Sequence, residues 1–208
     1  MNASIKILIV DDHAVLRQGL KHILAEEWPH AVFGEAGSVP ELMQLLRKDS
    51  WDVLLLDINL PGRNGLEALK EIANDKAHLP VLVLSGHPED QYAIRVLKAG
   101  AAGYMTKETA PDELIQAVRK VLAGGRYVSA ALAEKLAFGL SDNSDKLPHE
   151  HLSDREYQVL CLVASGKTPT EIAEELTLSV KTISTFRTRI LSKMDMKTKG
   201  ANGFNTKC

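Results

Sequence analysis

Polar residues end or directly follow four short apolar segments in the first half of the sequence. They are Asp11, Asp12, Asp57, Ser85 and Lys107, which adjoin residues 5–10, 53–57, 81–85 and 103–106. If these segments are parallel strands, the side chains converge at the carboxyl edge of a sheet, where such folds bind ligands. Clustered carboxylates repel one another unless a cation neutralises them, and Mg2+ prefers carboxylates together with carbonyls and waters. The pattern predicts a Mg2+ site in which Asp57 is a nucleophile towards a phosphoryl group, with Lys107 and Ser85 contacting its oxygens.

Each of these residues has a simpler structural explanation when it is considered alone. An Asp–Asp pair after a strand commonly caps a helix, and a single Asp, Ser or Lys at a strand end is unremarkable. The prediction depends on all of them occurring at the ends of the expected strands. His13, beside the acids, is expected to begin a helix rather than to bind the metal.

A second group of residues that could bind a ligand lies near the C-terminus on an amphipathic segment. Ile183, Phe186 and Ile190 have the i, i+3, i+7 spacing of a buried helix face. A rotation of about 100 degrees per residue gives the opposite face a different set of side chains. These are Lys181, Ser184, Thr185, Thr188 and Arg189.

The charge of the chain is distributed unevenly. Residues 1–148 carry 16 basic and 20 acidic side chains, whereas residues 177–208 carry 7 basic and 1 acidic. An acidic part joined to a basic part indicates that the two have different partners. No apolar stretch is long enough for a membrane span, and no signal-peptide pattern precedes the first strand, so a cytoplasmic protein without a membrane partner is expected.

Two domains of different class must position these residues. In the first, β-like runs at residues 5–10, 31–36, 53–57, 81–85 and 103–106 alternate with helical patterns. This alternation predicts an α/β fold with a doubly wound, five-stranded parallel sheet. After a polar segment at residues 139–150 the pattern is purely helical, with N-cap signals at Ser153, Thr168 and Ser179, and it predicts a small all-α domain.

The first domain resembles the response-regulator receiver, a flavodoxin-like fold. The segments that carry the resemblance, within residues 5–124, are VDDH, LLLDINLPGRNG, VLSGH and AAGYMTKE. By position, the resemblance implies that Asp57 is the phosphoacceptor and that Asp11 and Asp12 bind the metal together with it. It also implies that the backbone carbonyl of Asn59 completes the metal site.

The same resemblance assigns a switching role to residues of the last two strands. It implies that Ser85 is the switch hydroxyl, Tyr104 the rotating aromatic residue and Lys107 the conserved lysine. A tyrosine with only a packing role is the alternative for Tyr104. Glu108 follows the lysine where many receivers have a cis proline, and a non-proline cis bond costs roughly 3 kcal/mol, so the geometry of this loop stays open.

Residues 152–194 resemble the helix-turn-helix of LuxR-type (NarL/FixJ) regulators. In such motifs the second helix enters the major groove and divides its side chains between base edges and phosphates. The resemblance implies base contacts from Ser184, Thr185 and Thr188. It implies phosphate contacts from Lys181, Arg189 and Lys193, the alternative being a merely solvated charged face. Ser184 and Phe186 differ from the residues of many relatives, so a base preference does not transfer.

These observations predict four segments. They are a receiver domain at 1–125, a linker helix and linker at 126–150, a DNA-binding domain at 151–196 and an atypical tail at 197–208. Gly200 and Gly203 disfavour the fourth helix that LuxR-type modules usually have, so the tail is expected to weaken DNA affinity and dimer contacts.

The expected function is that of a DNA-binding transcriptional regulator controlled by phosphorylation. The partners that the resemblance implies are a sensor histidine kinase, promoter DNA and, on activation, a second copy of the chain. An aspartate-based phosphohydrolase is the enzymatic alternative, but it commonly needs an acid two residues after the nucleophile, where this chain has Asn59. We therefore expect no enzyme. A signalling adaptor that no longer binds DNA is the other alternative, and it rests on the atypical tail.

Overall fold

The computed structural model describes residues 4–62, 64–76, 78–109, 111–139 and 151–194. The chain divides into two compact units, Met1–Asp142 and Asn143–Cys208. The first unit extends beyond residue 125 and includes the helix that the sequence analysis assigned to the linker. The predicted tail at 197–208 and residues 140–150 of the predicted linker lie outside the described residues, and the predicted domain boundaries stay predictions.

The first unit is built on a five-stranded parallel sheet with the strand order β2-β1-β3-β4-β5. The strands are β1 (Lys6–Val10), β2 (Val32–Ala36), β3 (Val53–Asp57), β4 (Val81–Ser85) and β5 (Gly103–Thr106). The predicted parallel α/β sheet is therefore confirmed. Asp57 pairs in register with Leu84 and Ser85 with Thr106, so these strands end at the same edge of the sheet.

Six helices of this unit connect or follow the strands in its described residues. They are α1 (Ala14–Glu27), α2 (Val39–Lys48), α3 (Gly65–Asp75), α4 (Glu89–Lys98), α5 (Pro111–Leu122) and α6 (Ala130–Gly139). Ser38 is the N-cap residue of α2, since its hydroxyl accepts a hydrogen bond from the backbone N of Glu41. Local capping chemistry thus starts α2 where the sequence indicates.

Both faces of the sheet are buried, as the crossover helices require. Every residue of β3 and β4 is buried. Alternate strand residues, among them Ile7, Leu55 and Leu82, belong to one core cluster with Leu24 of α1 and Val118 of α5. Because successive strand side chains point to opposite faces, the buried residues between them form a core on the other face. The central strands are therefore held firmly, and so are the polar groups at their ends.

The second unit consists of α7 (Asp154–Ala164), α8 (Pro169–Glu175) and α9 (Val180–Lys193) in its described residues. Capping boxes begin α7 at Ser153 and α8 at Thr168, and the hydroxyl of Ser179 caps α9, as the sequence indicates. Ile183 and Ile190 on the inner face of α9 are buried. In the described part of the chain, no helix combines the length and apolarity that crossing a membrane would require.

Candidate functional site

The predicted acidic residues meet at the carboxyl edge of the sheet. Asp11 directly follows β1 and Asp57 ends β3, and each side chain is only 1% exposed. Asp12 and His13 lie beside them and are exposed. One ligand atom from each of Asp11, Asp12, His13 and Asp57 can be chosen so that all lie within 4.8 Å of one another. The structure therefore brings together the carboxylates that the sequence analysis grouped.

Both carboxylate oxygens of Asp57 are held by hydrogen bonds. Oδ2 accepts a bond from Lys107 Nζ at 2.7 Å, and Oδ1 accepts one from the backbone N of Asn59 at 2.9 Å. Burial raises the pKa of the Asp57 carboxyl, an effect that Lys107 and the Asn59 amide oppose and that the Asp11 carboxylate reinforces. A buried, oriented and more basic carboxylate is suited to act as a nucleophile.

Lys107 bridges the two buried acids. Its Nζ lies 2.7 Å from Asp57 Oδ2 and 2.6 Å from Asp11 Oδ2. Burial acts to lower the pKa of Lys107, but the two carboxylates outweigh this effect and raise that pKa. The ammonium is therefore charged at neutral pH and stands beside the predicted phosphoacceptor.

The acidic cluster is compatible with a hard divalent cation. Three of its four residues, Asp11, Asp12 and Asp57, offer carboxylate oxygens, the ligand type that Mg2+ prefers. Oδ2 of the buried Asp11 lies 2.6 Å from Lys107 Nζ and, within the part of the chain that the structure describes, is in contact with no further hydrogen-bond donor. The Lys107 ammonium neutralises part of the negative charge at this oxygen, and a divalent cation bound by the cluster would neutralise more of it.

His13 takes a larger part in this cluster than the sequence analysis expected. It is the N-cap residue of α1, as predicted, but its side chain makes no capping hydrogen bond. Its Nδ1 instead lies 3.0 Å from Asp11 Oδ1 and 2.7 Å from Asp12 Oδ1.

The backbone N of Asn59 donates a hydrogen bond to Asp57 Oδ1. The role of the Asn59 carbonyl as a metal ligand stays a prediction.

The predicted switch residues Ser85 and Tyr104 both bind the backbone of His87, which the sequence analysis did not single out. Ser85 is fully buried, and its Oγ accepts a hydrogen bond from His87 N at 3.1 Å. Tyr104 is 1% exposed and donates its hydroxyl to His87 O at 2.8 Å. The peptide bond between Lys107 and Glu108, whose geometry was left open, is trans. The loop after β4 is thus joined to both switch side chains.

A glycine allows the loop after Asp57 to close tightly over the site. A Cβ atom on Gly65 would lie 2.5 Å from the backbone O of Asp57 and 2.7 Å from Cα of Ile58. Both contacts are with backbone, which cannot move aside as a flexible side chain can. Gly65 belongs to the segment that carried the resemblance, but the sequence alone did not show this steric role.

The exposed face of α9 carries the residues that were predicted to contact DNA. Lys181, Ser184, Thr185, Thr188 and Arg189 are all exposed. The three hydroxyls donate to the carbonyls four residues earlier in the helix, at 3.0 to 3.1 Å. Their oxygens can still accept hydrogen bonds, and the threonine methyl groups remain available for apolar contact with a base.

Lys193, the remaining predicted phosphate contact, has a structural partner. Its Nζ donates to Oε2 of Glu156, on α7, at 2.6 Å. The Glu156 side chain is 4% exposed, whereas that of Lys193 is 42% exposed. The sequence pattern gave no indication of this ion pair.

Comparisons with known proteins agree with this arrangement of two units. The response regulator receiver domain family matches residues 7–119, and the family of bacterial regulatory proteins of the luxR type matches residues 150–200. The response regulator UvrY of Escherichia coli (strain K12) is 36% identical over 193 residues, covering 92% of this chain and 88% of UvrY. The response regulator GacA of Pseudomonas aeruginosa is 37% identical over 193 residues, covering 92% and 90%.

A solved structure with the same organisation contains DNA. It is RcsB from Salmonella enterica serovar Typhimurium, bound to the promoter P1flhDC in the presence of the phosphomimetic BeF3−. The TM-score is 0.64 with 28% identity, over 94% of this chain and 95% of RcsB. The likeness thus extends across both units of the chain.

Proposed function

We propose that this chain, which belongs to the family of DNA-binding response regulators, regulates transcription in a bacterial two-component system. In this proposal, Asp57 accepts a phosphoryl group from a histidine kinase. The observation that carries the assignment to Asp57 is its buried carboxylate, held by Lys107 and the Asn59 amide where the acidic residues converge. No other acid of the cluster ends a central strand.

The proposed reaction is a phosphoryl transfer to a carboxylate. An oxygen of Asp57 attacks the phosphorus of a phosphohistidine, the P–N bond breaks, and its electron pair leaves with the imidazole, which takes up a proton. Asp57 then carries an acyl phosphate. Lys107 contacts Asp57 and can pair with the added negative charge, and the Ser85 hydroxyl can donate to a phosphoryl oxygen.

Magnesium fits the donor set of this site. Asp11, Asp12 and Asp57 would hold the ion, with the carbonyl of Asn59 as a further ligand. When bound, Mg2+ would neutralise charge on the carboxylates and on the transferred group. The residues of the chain orient the nucleophile independently of the ion, through the bonds from Lys107 and Asn59.

The second unit is proposed to bind promoter DNA through the exposed face of α9. Lys181, Arg189 and Lys193 would contact phosphates, and Ser184, Thr185 and Thr188 would approach base edges. Lys193 can contact a DNA phosphate either after its ion pair with Glu156 breaks or while that ion pair is kept. Activation is proposed to bring two copies of the chain together on DNA, since RcsB dimers occur in a DNA-bound structure.

A phosphatase that uses Asp57 as nucleophile would need an acid to protonate the leaving group and activate water. Two residues after Asp57 the chain has Asn59, whose side chain is not an acid and whose backbone N donates to Asp57 Oδ1. We therefore propose that Asp57 stores the phosphoryl group as a signal.

Mapping the phosphoryl group tests this function. The purified chain is incubated with Mg2+ and a small phosphodonor, and the label should be stable in acid, labile in base and located on the peptide that contains Asp57. Asp57→Asn should abolish it, whereas the exposed Asp75→Asn, a matched change in the same unit, should leave it intact. Asp12→Ala should raise the Mg2+ requirement. Equal labelling of Asp57→Asn on the same peptide would show that the assignment is wrong.

A further inference from the structure

The start of helix α6 is tied to the start of helix α4 by one glutamate and one serine. Ser129 Oγ donates to Glu89 Oε2 at 2.5 Å, and Ser129 N donates to Glu89 Oε1 at 3.4 Å. The same Ser129 Oγ accepts from the backbone N of Leu132 at 3.0 Å, so it also caps the first turn of α6. We call the pair of contacts between Glu89 and Ser129 the latch.

On one side, the latch is connected to the phosphorylation site. Glu89 is the first residue of α4 and follows the loop of residues 86–88. His87 in that loop donates its N to Ser85 Oγ and accepts the hydroxyl of Tyr104 at its O. The position of Glu89 is therefore set by a loop that both switch side chains hold.

On the other side, the chain before α6 is fixed to the edge strand β5. Tyr127 N donates to Ala102 O at 2.8 Å, and Tyr104 N donates to Tyr127 O at 3.3 Å. Gly103 permits this approach, because a Cβ atom there would lie 2.7 Å from Tyr127 O. With residue 127 anchored to β5, a movement of Glu89 relative to that strand would change the separation of Glu89 and Ser129.

We propose that the latch transmits the state of Asp57 to helix α6, an inference that rests on the function proposed above. When the Ser85 hydroxyl reorients towards a phosphoryl oxygen on Asp57, its hydrogen bond with His87 N either breaks or moves with the hydroxyl. In both cases the 86–88 loop is displaced, and Glu89 moves away from Ser129. Opening of the latch leaves the Ser129 side chain free to rotate. Its Oγ is then no longer held against Leu132 N, so the cap of α6 is weakened. Because α6 is the last described helix of the first unit, the state of Asp57 reaches the C-terminal end of that unit's described residues.

Hydrogen exchange of the full-length chain, with and without BeF3− and Mg2+, measures the state of the latch. In the unmodified chain, BeF3− should speed exchange in the first turn of α6 by up to about five-fold, the size expected for complete loss of a helix N-cap. Glu89→Ala should show fast exchange in α6 already without BeF3−, and no further response to it. Glu113→Ala removes a nearby bond to the Tyr127 hydroxyl and leaves the latch intact, so it should behave like the unmodified chain.

The outcomes separate the latch from the function on which it rests. Equal exchange of α6 in Glu89→Ala and the unmodified chain without BeF3− would overturn the latch, whether or not Asp57 is the phosphoacceptor. If BeF3− changes exchange in the 86–88 loop but leaves exchange in α6 as slow as it is without BeF3−, the proposed transmission from the loop to α6 would be overturned. Failure of BeF3− to change exchange anywhere near Asp57 would contradict the proposed function instead, and the comparison without BeF3− would still decide whether the latch exists.

Discussion

The ion pair between Lys193 and Glu156 yields a prediction that distinguishes a structural role of Lys193 from a DNA contact. Lys193→Met keeps most of the length of the side chain and removes its charge. The carboxylate of Glu156, whose side chain is 4% exposed, then loses its ammonium partner and retains the hydrogen bond from the backbone N of Ser153. Breaking a buried pair costs about 3–5 kcal/mol, whereas exposed pairs contribute about 0–1 kcal/mol. Since the Lys193 side chain is 42% exposed, we expect a loss of roughly 2 kcal/mol in the stability of the second unit.

The loss should depend on pH in a defined direction. Burial acts to raise the pKa of Glu156, but Lys193 and Ser153 outweigh it and hold this pKa below its ordinary value of 4.5. A carboxyl whose folded pKa is lowered stabilises the fold fully above the unfolded pKa and loses that contribution as pH falls through the folded value. The difference between Lys193→Met and the unmodified chain should therefore be complete at pH 7 and shrink below pH 4.5.

Hydrogen exchange of α7 and α9 in the full-length chain is the suitable assay. Both tryptophans, Trp28 and Trp51, lie in the first unit, so their fluorescence does not report on the second. A loss of roughly 2 kcal/mol corresponds to exchange about 30-fold faster at pH 7. Lys181→Met removes an exposed lysine of the same helix and should change nothing in α7. If Lys193→Met exchanges in α7 at the rate of Lys181→Met, the ion pair does not stabilise the unit and the reasoning is refuted.

Three further predictions concern the glycine beside the site, the helix-turn-helix turn and the DNA face. Gly65→Ala should slow phosphoryl labelling of Asp57 and lower thermal stability, because the added Cβ would collide with the backbone of residues 57 and 58. Gly19→Ala, where the added Cβ meets open space, should label normally, and equal labelling of both variants would contradict the steric argument. Thr177 has a φ of 54° between α8 and α9, so Thr177→Gly should stabilise the second unit by about 0.5–1 kcal/mol, and faster exchange of α9 would count against this. Arg189→Ala should reduce the magnitude of the slope of log DNA affinity against log salt by about one, whereas Thr188→Ala should alter the DNA sequence preference. An unchanged slope would contradict the phosphate contact of Arg189, and an unchanged preference would contradict the base contact of Thr188.

Much of the first unit could be predicted because its local and long-range signals agree. β3, β4 and β5 have the predicted bounds, and β1 and β2 begin one residue later than predicted. Parallel strands buried on both faces are continuous apolar runs, so their ends are visible in the sequence. The convergence of Asp11 and Asp57 then follows from the parallel topology, since strands that run the same way end at the same edge.

The rest of the site depends on backbone positions and on contacts between distant elements, which residue types do not reveal. His87 takes part through its backbone N and O, atoms that every non-proline residue has. The bond between Lys193 and Glu156 joins residues that are 37 positions apart, so helix periodicity gives no sign of it. His13 was correctly predicted to begin a helix, but its position against the two acids required the three-dimensional structure.

The central claim is that phosphorylation of Asp57 controls DNA binding, and one measurement tests it directly. The affinity of the full-length chain for DNA fragments enriched from the genome is measured at fixed salt, before and after complete phosphorylation, alongside Asp57→Asn under the same treatment. We predict that phosphorylation changes the affinity of the unmodified chain and leaves that of Asp57→Asn unchanged. An equal change in both proteins, or none in a fully phosphorylated unmodified chain, would contradict the account.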